Sequence, residues 1–188
     1  MRYFRKISGE RLYLSPMNPD DAEIYTHWLN DPEVAQRIGA YTRITTLDGE
    51  RAYIVTAAQE GQNYSIVLND GDRLIGNISL MDVNHLQRKA TLGLFIGDVA
   101  CRGKGYGTEA IRLILDYGFK WLNLHNIMLE VFANNPCAIA CYQKVGFREF
   151  GRRTQSAFLN GEFVDDIMME ILPSMFYGAD SSSGSGTN

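Results

Sequence analysis

The sequence predicts an α/β fold of the α+β kind, a central sheet flanked by helices, and three observations carry that prediction. Two segments, Ala90 to Leu122 and Ile127 to Gly146, each read as a strand leading through a short turn into a helix. Two turn signals, Asn69-Asp70-Gly71-Asp72 and Asn160-Gly161, each separate a pair of β-like runs. At 188 residues, with 45% apolar and 21% charged residues, the chain suits one core of ordinary size.

Taken in order, Arg11 to Leu14 has the spacing of a first strand, and Pro19 to Leu29 reads as a helix with Asp20, Asp21 and Glu23 near its positive N-terminal end. A second helix covers Thr46 to Glu60. Tyr64 to Leu68 and Leu74 to Leu80 are the arms of the first hairpin. In Ala90 to Ile96, Leu92, Leu94 and Ile96 fall on one face, as a strand requires. Thr108 to Leu122 carries Ala110, Ile111, Ile114, Leu115, Phe119 and Leu122 as one helical stripe. After the strand Ile127 to Phe132, Asn135 suits an N-cap, Pro136 the first helical position and Gly146 the stop, which puts Ala138, Ile139, Tyr142 and Val145 on one face. Gln155 to Leu159 and Phe163 to Leu172 flank Asn160-Gly161, the strongest short hairpin signal in the chain. The reading is a single domain over residues 1–178, with 179–188 a flexible tail or cloning remnant.

The chemistry concentrates in Arg102-Gly103-Lys104-Gly105-Tyr106-Gly107, between a strand and a helix. Glycines opening a helix leave N–H groups facing one point at the positive end of its dipole, which favours a phosphate or pyrophosphate. The spacing G-x-G-x-G departs from the dinucleotide fingerprint G-x-G-x-x-G, and no carboxylate follows about twenty residues on at a strand end. It also fails G-x-x-x-x-G-K-[ST], since Gly97 to Gly103 is one residue too long and Lys104 is followed by glycine. An ordinary strand-to-helix turn is the plainer alternative.

What fits is R-x-x-G-x-G, from Arg102 through Gly105 to Gly107, and with it the chain resembles the GNAT superfamily of acyl-CoA-dependent N-acetyltransferases. A second block, Asn134 to Phe147, matches the family's N-x-x-A-x-x-x-Y-x-K-x-G-F signature. Gly9 to Leu14, Leu115 to Phe119 and Phe158 to Phe163 are similar to the branch of ribosomal-protein and spermidine or diamine N-acetyltransferases, and Asp82-Val83-Asn84-His85 to the polyamine enzymes. The resemblance implies a mixed, mostly antiparallel sheet of about seven strands with splayed central strands. It implies acetyl-CoA as co-substrate, bound by Ile96, Gly97, Val99, Arg102, Gly103, Lys104, Gly105, Tyr106, Gly107, Thr108 and Asn135. Direct transfer to an amine follows, with Tyr142 in the family's position for the acid that protonates the leaving thiolate. Asp82 aligns with an acidic position of the polyamine branch and is the first choice of base. Asp31 and Glu33 lie where the acceptor-binding helices contact substrate. Two have plainer competitors: Tyr142 as core filler, and Asp31-Pro32 as a simple turn or helix start.

Other classes are set aside on composition. A net charge of −4, with basic residues neither in excess nor clustered with aromatics, argues against nucleic acid. No apolar run approaches a membrane span and Met1 to Lys6 lacks a secretory stretch, so the expectation is a cytoplasmic protein without a membrane partner. Three cysteines, Cys101, Cys137 and Cys141, show no metal-ligand set and are read as reduced thiols; no metal is expected. The acceptor stays open between a polyamine, another small amine and a protein N-terminus. A non-catalytic acyl-CoA-binding protein is the competing class. Trp28, Tyr41 and Tyr177 are the candidates for a homo-oligomer contact.

Overall fold

The computed structural model describes residues 2–181, and these form two compact units. Met1 and residues 182–188, most of the expected tail, lie outside the described residues.

The first unit, Met1–Met81 with Gly93–Ile114, holds the N-terminal strands and helices. Its strands β1 (Ile7–Ser8), β2 (Leu12–Pro16), β3 (Asn63–Leu68), β4 (Leu74–Asn84) and β5 (Lys89–Ile96) hydrogen-bond in that order. The pairs from β1 to β4 are antiparallel. β1 is too short for any periodicity to announce it. The helix expected over Pro19 to Leu29 divides into a 3-10 turn, Pro19–Asp21, and α1 (Ala22–Asn30), because Asn18 caps the turn by accepting from the Asp20 N–H at 3.0 Å. The short α2 (Pro32–Arg37), which sequence reading left as a turn or helix start, is opened by Asp31. α3 (Leu47–Glu60) starts where expected: Thr46 Oγ1 accepts from the Gly49 N–H at 3.2 Å, and Gly61 at φ 87 ends it. Helices and sheet meet on Tyr13, Tyr25, Ile54, Ala57 and Val67, with Trp28 and Phe95 packed on this cluster. Trp28 is therefore part of the core margin and not the exposed contact expected of it.

The second unit is Asp82–Leu92 with Leu115–Asn188. Here β5 pairs in parallel with β6 (Asn126–Phe132), over Lys89–Thr91 against Asn126–Met128. β6 pairs antiparallel with β8 (Glu162–Ile171), and β8 with β7 (Arg148–Leu159), giving the order β5-β6-β8-β7. Among the described residues the strands number eight, where about seven were expected. Asn160 at φ 53 and Gly161 at φ 87 supply the two left-handed residues of a tight hairpin turn. β7 begins seven residues before the expected Gln155, because register shifts at Glu149/Gly151 and Arg153/Ala157 break the alternation that identifies a strand. α4 (Tyr106–Lys120) runs through both units, and α5 (Pro136–Val145) follows β6. A last helix, α6 (Pro173–Ser181), was not expected; its Phe176 is buried against Phe119, ring centroids 5.7 Å apart. Residues 179–181, assigned to the tail, are helical.

Candidate functional site

In the first unit β5 delivers the chain to the glycine loop through a close approach at Gly97, where an added Cβ would lie 2.1 Å from the Trp28 ring. The Gly97 and Asp98 N–H groups both donate to the Ile75 carbonyl of β4, at 3.0 and 3.2 Å. Strand alternation then turns the Ile96 N–H to the opposite edge of β5. Of the expected cofactor strand end, the Gly97 N–H is spent on the sheet. Val99 is exposed in a 3-10 turn, Val99–Cys101, that Asp98 caps.

Gly103 at φ 72 and Gly105 at φ 82 are both left-handed, a conformation that costs other residues and leaves glycine indifferent. Gly107 is not: α4 begins at Tyr106, so Tyr106, Gly107 and Thr108 form its first turn. Space above Gly103 is open within 4 Å, and Gly103, Lys104 and Gly105 are exposed. The residue before α4 is Gly105, which has no side chain to cap the helix. These features fit a pyrophosphate.

Arg102 does not face that opening. Its Nε and Nη2 donate to the carbonyls of Ile96 and Gly97 at 3.1 and 3.4 Å, and Nη1 donates to Glu33 Oε1 at 2.7 Å. Lys104 is the exposed cation of the loop. Asp31 is the N-cap of α2, accepting from the N–H groups of Glu33 and Val34 at 2.9 and 3.2 Å. It also lines a cavity of about 510 Å³ with Glu23, His27 and Asn30 of α1. The plain helix-start reading of Asp31 thus describes its side chain, and Glu33 is turned toward Arg102 and Arg37.

In the second unit α5 forms as expected: Asn135 Oδ1 accepts from the Ala138 N–H at 3.2 Å and Gly146 takes φ 112. Ala138 and Ile139 are half-buried, while Tyr142 and Val145 reach the core. Tyr142 is 8% exposed, its ring 5.8 Å from that of Phe147, and burial pushes its phenol well above the ordinary value. Asp82 is exposed at φ 52 and sits two residues inside the end of β4, where sequence reading expected the strand to finish.

Two residues escaped sequence reading. Arg11 clasps the glycine loop: Nη1 donates to the Lys104 carbonyl at 2.9 Å, Nε to Glu109 at 2.8 Å, and the guanidinium lies 4.8 Å from the Tyr106 ring centroid. An arginine ninety residues upstream leaves no local signal of this. Glu50, in the first turn of α3, is 5% exposed, and burial raises its carboxyl above the ordinary range. Among the described residues no group of three or more His, Cys, Asp or Glu could hold a metal, and Cys101, Cys137 and Cys141 form no disulfide.

Residues 11–148 match the family model described as an acetyltransferase (GNAT) domain. The chain is 29% identical over 170 residues to the spermidine N(1)-acetyltransferase of Vibrio cholerae, covering 89% of this chain and 90% of that relative. To the enzyme of the same name from Escherichia coli K12 it is 27% identical over 180 residues, 96% of this chain and 90% of the relative. A crystal structure of the Vibrio cholerae spermidine N-acetyltransferase with CoA and spermine superposes with a TM-score of 0.79 at 27% identity, covering 90% and 99% of the two chains.

Proposed function

The chain belongs to the GNAT acetyltransferase family and is an acyltransferase, and from that premise we propose that it transfers an acetyl group from acetyl-CoA to a polyamine such as spermidine, in the cytoplasm and in a single domain made of both units. The observation that carries the reading is the R-x-x-G-x-G loop, with Gly103 and Gly105 both left-handed at the start of α4. The polyamine rests on relatives named as spermidine acetyltransferases, similar over about nine tenths of the chain. It also rests on the carboxylate of Glu23, which suits a cationic amine on the cavity it lines.

Bound acetyl-CoA supplies an activated thioester; the N–H groups of Gly103, Gly105, Tyr106 and Gly107, with Lys104, hold its pyrophosphate. A free alkylamine has a pKa near ~10.4, so an acceptor must take its proton at neutral pH, and Asp82 serves, directly or through water. The Ile96 N–H donates to the oxygen on which charge develops. Tyr142 keeps its proton at neutral pH because burial disfavours the phenolate, and so has a proton to give to the departing sulfur. A thiol is a stronger acid than this phenol, with a pKa near ~8.5, so Tyr142 assists mainly by hydrogen bonding.

A thiol-release assay with acetyl-CoA over spermidine, spermine, a diamine, an aminoglycoside, an amino acid and a peptide N-terminus tests the proposal. Spermidine or spermine should give the highest kcat/KM. A chain that binds CoA yet releases thiol with none of the amines is a non-catalytic acyl-CoA binder, and the proposal then fails.

A further inference from the structure

The glycine loop carries two arginine–glutamate contacts made by residues from outside it. Glu33 of α2 receives Arg102 Nη1 at 2.7 Å while the other nitrogens of that guanidinium hold the Ile96 and Gly97 carbonyls. Arg11, just before β2, holds the Lys104 carbonyl at 2.9 Å and is itself fixed by Glu109 of α4, through Nε and through its backbone N–H, each at 2.8 Å. Its Nη2 would be 3.4 Å from a Cβ at Gly105. The segment these contacts hold is Gly103-Lys104-Gly105, whose two glycines have the widest backbone freedom of any residue type.

We propose that Glu33 and Arg11 are positioning residues that brace this loop in its anion-binding conformation, so that Glu33 serves the cofactor loop and not the amine. This rests on the acetyl-CoA reading of the loop. The physical argument is one of populations. Apparent affinity falls by the fraction of molecules in the competent conformation, and an unbraced Gly-x-Gly segment spreads over many conformations. The braces touch carbonyls and an arginine, leaving N–H groups to the ligand. That division of labour explains why the Arg102 side chain is 20% exposed although it stands in an anion-binding motif. Glu33 is 54% exposed, so its brace is the weaker of the two.

The test uses the whole chain and two acyl donors, acetyl-CoA and S-acetylpantetheine, which has no pyrophosphate. Glu33→Gln is expected to weaken CoA binding in calorimetry by about fivefold, and Arg11→Met, which keeps an apolar stem, by about tenfold. The ratio of kcat/KM for acetyl-CoA to that for S-acetylpantetheine should fall by the same factors, with KM for the amine little moved in Glu33→Gln. Equal losses on both donors would mean general structural damage, and unchanged CoA affinity in both variants would mean no bracing; either result overturns the inference. A rise in amine KM alone in Glu33→Gln would return Glu33 to the acceptor and also overturn it. If wild-type protein binds CoA and the variants bind it equally well, this inference fails alone. If wild-type protein binds no CoA, the functional reading fails with it.

Discussion

Two helix starts in this molecule are built in opposite ways. α5 closes its own N-terminus: Asn135 caps it with a side chain one residue away and Pro136 occupies the position where no N–H is needed. α4 begins after Gly105, which has nothing to cap with, and its conformation is held from Arg11 and Glu33, which lie 94 and 72 residues earlier in the chain. A capped start is finished as a structural element. The start of α4 has no capping side chain before it and is held instead by contacts from distant residues.

The comparison breaks most severely at Gly105. Gly105→Val forces a β-branched residue to φ 82 and puts bulk where the anion approaches, so about two charge-assisted hydrogen bonds are lost and CoA affinity should fall roughly a hundredfold. The melting temperature should move far less, since the loop is exposed. Calorimetry of the folded variant with CoA decides; wild-type affinity would leave the loop an ordinary turn.

Next in size is Tyr142→Phe, which tests whether the self-contained helix carries any chemistry. Loss of the hydroxyl should lower kcat by about tenfold to a hundredfold, the low end of general acid assistance, because the leaving sulfur needs little help. Affinity for acetyl-CoA and the melt should hardly change, as the ring against Phe147 remains. Undiminished turnover at saturating acetyl-CoA would reduce Tyr142 to core packing.

Asn135→Ala sharpens the contrast from the other side. It removes the Ala138 cap at a cost of about 1 kcal/mol, seen as a melting temperature lower by roughly 2–4 °C. Gly103→Ala at the open helix start removes no cap, so any loss there is the left-handed strain alone, about 1–2 kcal/mol. Paired thermal melts check this, and a neutral Asn135→Ala would mean that α5 is held by Tyr142 and Val145 alone.

The smallest effect concerns Glu50. Burial raises its carboxyl above the ordinary 4.5, so its contribution to stability is fully present below about 4.5 and is lost as pH rises through the folded value. Glu50→Gln removes that penalty and should raise the melting temperature by about 1–2 °C at pH 7.5, with the gain vanishing toward pH 4.5. The same shift at both pH values would assign the effect to helix propensity or packing instead.

Much of the fold was legible because its signals are local. The Asn160-Gly161 turn, the Thr46 start of α3 and the whole of α5 depend on residues a few positions apart, and the structure has all three. What escaped was short or irregular. β1 has two residues, β7 carries two register shifts that hide its alternation, and α6 has little amphipathic pattern beyond Phe176. At the candidate site the sequence identified the loop and the helix by their spacing. It did not show the side chains whose partners are distant, so that Arg102 turned toward Glu33 and Trp28 packed on Gly97.

By itself, then, the sequence determined the family motifs and the elements with local signals, such as α3, α5 and the Asn160-Gly161 turn, since these follow from propensities and spacings within a few residues. Only the tertiary structure decided which charges are spent on the protein and which remain for a ligand. Arg102 and Lys104 are two residues apart and chemically alike, yet Arg102 holds the Ile96 and Gly97 carbonyls and Glu33, and Lys104 is exposed. The reason is physical: a side chain's partner is fixed by distance in space, and folding places α2 and the start of β2 beside a loop from which they are separated by most of a hundred residues of chain.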